Sequence, residues 1–232
     1  MRRKIFLFDI DGTLLRGMGT GTKALEQAFF EIYGWSDAVK TITSYGLTDR
    51  IIFDRIVSEK ERFDLVGDKK ALDEVFSRYT ELLDLYLELD KKAILLKGAA
   101  ELVEKLHVRH DCYLGLLTGN IEEGARIKLE HFGIWQYFTF GAYGDESDTR
   151  SGLFSVAKKK FDHLYAADSV KENYLVIGDT PRDVQVGTDN GVKSVGVCTG
   201  AYESSDLEGA TLIYNDFSDY ETVYENLLKL MS

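Results

Sequence analysis

Proline is almost missing from this chain: Pro181 is the single one in 232 residues. Turns therefore fall to the 21 glycines, and no polyproline segment or proline-rich linker is available. Cysteine is as scarce. Cys112 and Cys198 cannot build a disulfide framework, and both lie in apolar runs, where they read as small buried hydrophobes. No stretch approaches the roughly 20 apolar residues that span a bilayer. Met1-Arg2-Arg3-Lys4 has the look of a signal-peptide start, yet Ile5-Phe6-Leu7-Phe8 runs straight into Asp9, too short an apolar region for one. Positive charge is in deficit: 28 Lys and Arg face 39 Asp and Glu, a net −11 that repels nucleic acid, so neither nucleic acid nor a membrane is an expected partner. What remains is an acidic chain, 44% apolar and expected in the cytoplasm. Its length suits one large domain, or a core with a substantial insert.

Four short apolar runs stop at small or acidic residues: Ile5–Phe8, Tyr113–Leu117, Tyr174–Ile177 and Val195–Cys198. Runs of this length bounded by turn residues predict strands of a parallel sheet buried on both faces. Tyr137–Phe140 and Thr211–Tyr214 are weaker candidates. Helical patterns lie between them, at Ala100–His110, Ile121–Phe132, Leu153–Ala166, after Pro181, and at Tyr220–Leu230. The alternation predicts an α/β fold, a three-layer Rossmann-like sandwich around a parallel sheet. Residues 16–92 break the rhythm with helix after helix. Ala24, Leu25, Ala28, Phe29 and Ile32 form one apolar stripe, and Leu72 to Leu87 carry a longer one. The expected division is a core of residues 1–15 and 93–232 and an all-α insert of residues 16–92.

Open α/β sheets bind ligands outside the carboxyl ends of their strands. The residues delivered there are Asp9, Asp11, Thr118, Asp179 and Asp183. Acidic groups gathered at a sheet edge repel one another and lose solvation, so they need a cation or a proton. Oxygen ligands from two strands suit Mg²⁺, with water and substrate oxygens completing the octahedron.

Asp9-Ile10-Asp11-Gly12-Thr13-Leu14, Leu117-Thr118-Gly119-Asn120 and Gly178-Asp179-Thr180-Pro181-Arg182-Asp183, each after a strand, resemble the motif set of the haloacid dehalogenase superfamily. The likeness covers nearly the whole chain, because the helical insert is similar to that family's helical (C1-type) cap. Gly46-Leu47-Thr48-Asp49-Arg50 resembles the substrate-facing cap segment of phosphoglycolate-phosphatase-like members, and reads equally as a helix start with Thr48 as its cap. The resemblance implies a Mg²⁺-dependent phosphatase for a small phosphorylated metabolite, acting as a monomer or homodimer. Asp9 would be the nucleophile and Asp11 the general acid and base. Mg²⁺ would be held by Asp9, Asp179 and the backbone carbonyl of Asp11, with Asp183 in support. Thr118, with Gly119 and Asn120, would contact the phosphoryl group, and Thr48 and Arg50 the substrate. The family's usual Lys, often followed by Pro, has no counterpart. Arg150, in the loop before the third of the core helices, is the expected replacement, ahead of Lys158 in the lysine run.

Other readings use the same residues. A sugar phosphomutase of the same superfamily shares both aspartates, whereas a dehalogenase has no need of Asp11. A phospho-accepting or binding module would have no use for so long an insert. Gly17–Thr22 lacks the Lys-Ser/Thr of a nucleotide loop and reads as a hinge with Thr22 capping the next helix. His107, His110, His131 and His163 show no metal-ligand spacing, and Trp35 and Trp135 read as core edge.

Overall fold

The computed structural model describes residues 3–17, 19–40, 42, 46–89 and 91–232. Met1 and Arg2 of the leader-like start and Met18 of the glycine-rich loop lie outside them. Six parallel strands form the main sheet in the order β5-β4-β1-β6-β7-β8: β1 (Lys4–Phe8), β4 (Cys112–Leu117), β5 (Phe140–Ala142), β6 (Tyr174–Gly178), β7 (Lys193–Val197) and β8 (Leu212–Tyr214). The helices between them are α4 (Ala99–His107), α5 (Glu122–His131), α6 (Arg150–Leu164), α7 (Pro181–Asn190) and the closing α8 (Tyr220–Leu230). The period-2 geometry of a strand explains the three layers. On β1, Phe6 and Phe8 enter the core beside Leu102, Leu106 and Leu227, while Ile5 and Leu7 enter a second core beside Leu153 and Phe161 on the other face. Strand β6 alternates likewise, with Leu175 and Ile177 on one side and Tyr174 and Val176 on the other.

The strands lie within two residues of the expected runs at each end, except the fifth. Trp135–Tyr137 forms a single 3₁₀ turn, so the fifth strand begins at Phe140 rather than Tyr137. Cys198 lies beyond β7 and is half-buried, not a core residue.

Among the described residues the insert holds three α-helices, α1 (Thr20–Tyr33), α2 (Asp49–Glu59) and α3 (Lys69–Leu89), and a 3₁₀ turn at Phe63–Leu65. They close a separate cluster around Phe29, Phe53, Val75, Phe76 and Leu83, reaching Ile121 and Ile127 at the start and middle of α5. Phe29 stacks on both Trp35 (5.9 Å) and Phe53 (5.8 Å). Helix α1 starts at Thr20 after Gly19, so Thr22 lies inside the helix and is not its cap. At the base of the insert, β2 (Leu15–Arg16) and β3 (Ile94–Leu95) pair antiparallel, Leu15 with Leu95 and Arg16 with Ile94. Among the described residues no helix is long and apolar enough to cross a membrane.

Candidate active site

The chain leaves β1 at Asp9, whose N–H stays tied to the Ile177 carbonyl (2.9 Å). It then turns tightly, with the N–H groups of Leu14 (2.9 Å) and Thr13 (3.2 Å) both donating to the Ile10 carbonyl. Gly12 makes the turn with φ +84°, and a Cβ there would sit 2.2 Å from Asp179 Oδ2. The turn thus excludes a side chain twice over, by conformation and by space. Asp179 follows β6 directly and receives the Thr13 hydroxyl at 3.3 Å. Asp183 stands in the first turn of α7, where Oδ2 accepts from the Thr180 N–H (3.1 Å) and hydroxyl (2.7 Å) in a capping box. Oxygens of Asp9, Asp179 and Asp183 lie within 4.8 Å of one another, and all three residues are buried.

Arg150 is the buried cation of this cluster. Its Nη2 lies 2.9 Å from Asp9 Oδ2 and 2.5 Å from Asp183 Oδ1, and its Nε donates to the same Asp183 oxygen at 3.0 Å. It occupies the first position of α6 after the N-cap Thr149, where the helix dipole disfavours a cation. The two carboxylates offset that local cost. Lys158 pairs with Asp162 one helical turn away (2.6 Å) and is remote from the cluster.

Strand β4 delivers Thr118, fully buried, and then Gly119 and Asn120. The Asn120 Nδ2 donates to Thr118 Oγ1 (2.8 Å) and Asp11 Oδ2 (2.8 Å). A residue absent from the sequence reading completes this group. Lys128, on α5, places Nζ 2.6 Å from both Asp11 Oδ2 and Asn120 Oδ1. The signal existed: Lys128 falls on the apolar stripe Ile121, Ala125, Leu129, where a lysine needs a buried partner.

A cavity of about 470 Å³ joins these residues to the helical insert. Asp9, Asp11, Thr118, Gly119, Asn120, Arg150 and Asp179 line it from the sheet edge, and Leu25, Val39, Leu47, Asp49, Ile52 and Tyr79 from the insert. Asp183 sits behind the first group. Neither Thr48 nor Arg50 lines the cavity. Thr48 caps α2 by accepting the Ile51 N–H (3.3 Å), and Arg50 pairs with Asp148 at 3.1 Å. Their neighbour Asp49 reaches across instead: its carboxylate accepts the Ile121 N–H (2.9 Å) and its own N–H donates to the Gly119 carbonyl (2.7 Å).

Charge in the site is unevenly balanced. Burial raises Asp9 to about 6, against the pull of Arg150. Burial, then Asp9 and Asp183, raise Asp179 to about 8. Asp11 behaves oppositely. Its surroundings partly desolvate the half-exposed side chain and push it up, but the charge and hydrogen bond of Lys128 and the Asn120 amide prevail and hold it below the ordinary range. Asp49 is raised by burial to about 6. The cluster therefore lacks positive charge at Asp179, where a hard divalent cation with oxygen ligands fits the donor set.

The haloacid dehalogenase-like hydrolase family matches residues 6–197. The chain belongs to this family. No curated protein matches it. Among solved structures it is similar to a β-phosphoglucomutase from Clostridium difficile (16% identity, 99% of this chain and 98% of that one, TM-score 0.72). It is also similar to a predicted phosphatase from Clostridium acetobutylicum (19%, 99% and 100%, 0.69). A predicted phosphoglycolate phosphatase from Haemophilus somnus is a third such structure (19%, 96% and 98%, 0.67). At these identities the likeness establishes the fold.

Proposed function

We propose that this family member is a Mg²⁺-dependent phosphatase of a small phosphorylated metabolite, with residues 16–92 as a helical cap closing over the substrate. The observation that carries the reading is the buried triad Asp9, Asp179 and Asp183, with Arg150 bridging Asp9 and Asp183, beside a cavity shared with the insert. Asp9 attacks the phosphorus atom, forming an aspartyl phosphate while the substrate alcohol departs. Asp11, ionised in the free site, takes up a proton with the entering phosphate monoester, gives it to that alcohol, and then accepts one from the water that hydrolyses the intermediate. Thr118 accepts two hydrogen bonds from Asn120, so its hydroxyl proton can be donated to a phosphoryl oxygen. Mg²⁺, held by Asp9, Asp179 and the Asp11 carbonyl with Asp183 behind, would neutralise the charge that the phosphoryl group adds to this acidic edge.

The likeness to phosphoglycolate-phosphatase-like proteins makes a phosphoglycolate-like monoester the first substrate to try. The β-phosphoglucomutase neighbour keeps a phosphomutase as the second reading, since transfer to a sugar uses the same two aspartates. The deciding experiment follows phosphate release from p-nitrophenyl phosphate. Hydrolysis should require Mg²⁺, vanish with EDTA and return when the metal is restored. EDTA-insensitive hydrolysis would overturn the metal-assisted mechanism. Phosphate release from a panel of phosphorylated metabolites, without isomerisation of a sugar phosphate, separates phosphatase from mutase.

A further inference from the structure

We infer that Lys128 is a positioning residue that fixes the acid–base carboxyl of Asp11. The inference rests on the phosphatase reading and adds a residue to it. Asp11 stands in the turn after β1 with its side chain 46% exposed, so packing does not hold the carboxyl group. Two donors do, and both converge on one oxygen: Lys128 Nζ at 2.6 Å and Asn120 Nδ2 at 2.8 Å from Oδ2. A carboxylate held twice through Oδ2 has its plane set, and Oδ1 then keeps a fixed place beside the cavity. Proton transfer to a leaving oxygen is steeply dependent on such placement.

Lys128 also decides which way the Asn120 amide faces. An ammonium can only donate, and it meets Oδ1 at 2.6 Å, so the NH₂ group must face Asp11 and Thr118. With the amide reversed, two donors would abut and Thr118 would lose the shorter of its two donors, keeping only the Asn120 backbone N–H. The one lysine therefore orders a chain of three groups: the acid–base carboxyl, the amide and the threonine hydroxyl. Its position comes from α5, whose apolar residues Ala125 and Leu129 enter the core beside β1 and β4. The ammonium is delivered by rigid structure and not by a loop.

A purely structural ion pair predicts something different. Deleting one partner of a buried pair is costly when the other charge is left away from water, but Asp11, half-exposed, would be hydrated without Lys128. Lys128→Met should therefore leave the thermal midpoint within a few degrees of wild type. The informative readout compares phenyl phosphate with p-nitrophenyl phosphate in Mg²⁺. The two share a ring and a phosphoryl group, but phenolate is the poorer leaving group and depends more on proton donation. The variant should lose at least about tenfold more kcat/KM on phenyl phosphate than on p-nitrophenyl phosphate, part of the hundredfold or more that a placed proton donor supplies. Lys128→Arg, which keeps a donor, should recover part of that ratio. Lys128→Gln serves as a second neutral variant should the methionine misfold. Equal losses on both esters, or none, would overturn the inference and leave Lys128 a binding or structural residue. A wild-type protein inactive on p-nitrophenyl phosphate with Mg²⁺ would instead remove the phosphatase reading itself.

Discussion

Removing the Arg150 guanidinium should damage the protein in two separable ways. It is buried and holds Asp9 at 2.9 Å and Asp183 at 2.5 Å, so Arg150→Met leaves both carboxylates beside Asp179 with no cation among them. A contact near 3 Å at an effective dielectric of about 20 is worth roughly 5 kcal/mol of attraction before desolvation is counted. Breaking a buried pair by deleting one partner typically costs about 3–5 kcal/mol. For a domain of this size that corresponds to a fall in melting temperature of roughly 6–20 °C. The loss should be smaller at pH 5.5 than at pH 8, because carboxyl groups already raised by burial can take up protons and relieve the repulsion. Added Mg²⁺ should restore part of it. Turnover, measured well below the melting point, should drop by about a hundredfold or more, as when one electrostatic contact to the transition state is lost. Arg150→Lys should rescue little, since a point charge cannot span two carboxylates as the fork does. Lys158→Ala should shift stability by less than about 0.5 kcal/mol and turnover by less than about twofold. An Arg150→Met protein that melts like wild type at pH 8, or a Lys158→Ala protein crippled in turnover, would refute this reasoning.

Two further expectations concern the same edge. Asp9→Asn is nearly isosteric and removes a charge that burial disfavours; it should fold at least as stably as wild type without metal, yet retain no more than a few per cent of phosphatase turnover. Asp179 and Asp9 have raised values, so the metal-free fold holds protons that the unfolded chain releases. The stability they supply is present below about pH 4 and is lost as pH rises toward about 8. Mg²⁺ competes with those protons, and its increase in melting temperature, followed by differential scanning calorimetry, should be larger at pH 8 than at pH 5.5; a pH-independent increase would count against these carboxylates as the ligands.

Local signals made most of the sheet legible. Ile5–Phe8 and Tyr174–Ile177 are continuous apolar runs because both faces of β1 and β6 are covered, and the aspartates that end them stand out for the same reason. The fifth strand was less legible: Tyr137–Phe140 reads as an apolar run, yet Tyr137 closes a 3₁₀ turn and the strand continues instead through Gly141 and Ala142. Arg150 reads as a loop residue ahead of a helix at Leu153, but α6 begins three residues earlier than Leu153, so Arg150 is its first residue. Lys128 could not be assigned a role, because its partners lie 117 and 8 residues away and only the fold brings Asp11 and Asn120 to it. Asp49 is a similar case: as a first-turn acid of α2 it satisfies a local rule, and its reach to the Ile121 N–H depends on the packing of the insert against α5.

The small ribbon at Leu15–Arg16 and Ile94–Leu95 has an architectural consequence. The chain departs for the helical insert and returns from it along adjacent antiparallel strands, with the Leu96 N–H bonded to the Leu14 carbonyl at 2.9 Å. The two ends are already closed, so a turn of about four residues could join them. Replacing the long excursion by such a turn lowers the closure entropy by about 2.6 kcal/mol. Excising or exchanging the insert need not disturb the register of the six-stranded sheet. The cost of removing the insert would fall elsewhere, at the Gly119 carbonyl and Ile121 N–H that Asp49 engages and at Ile121 and Ile127, which its apolar cluster covers.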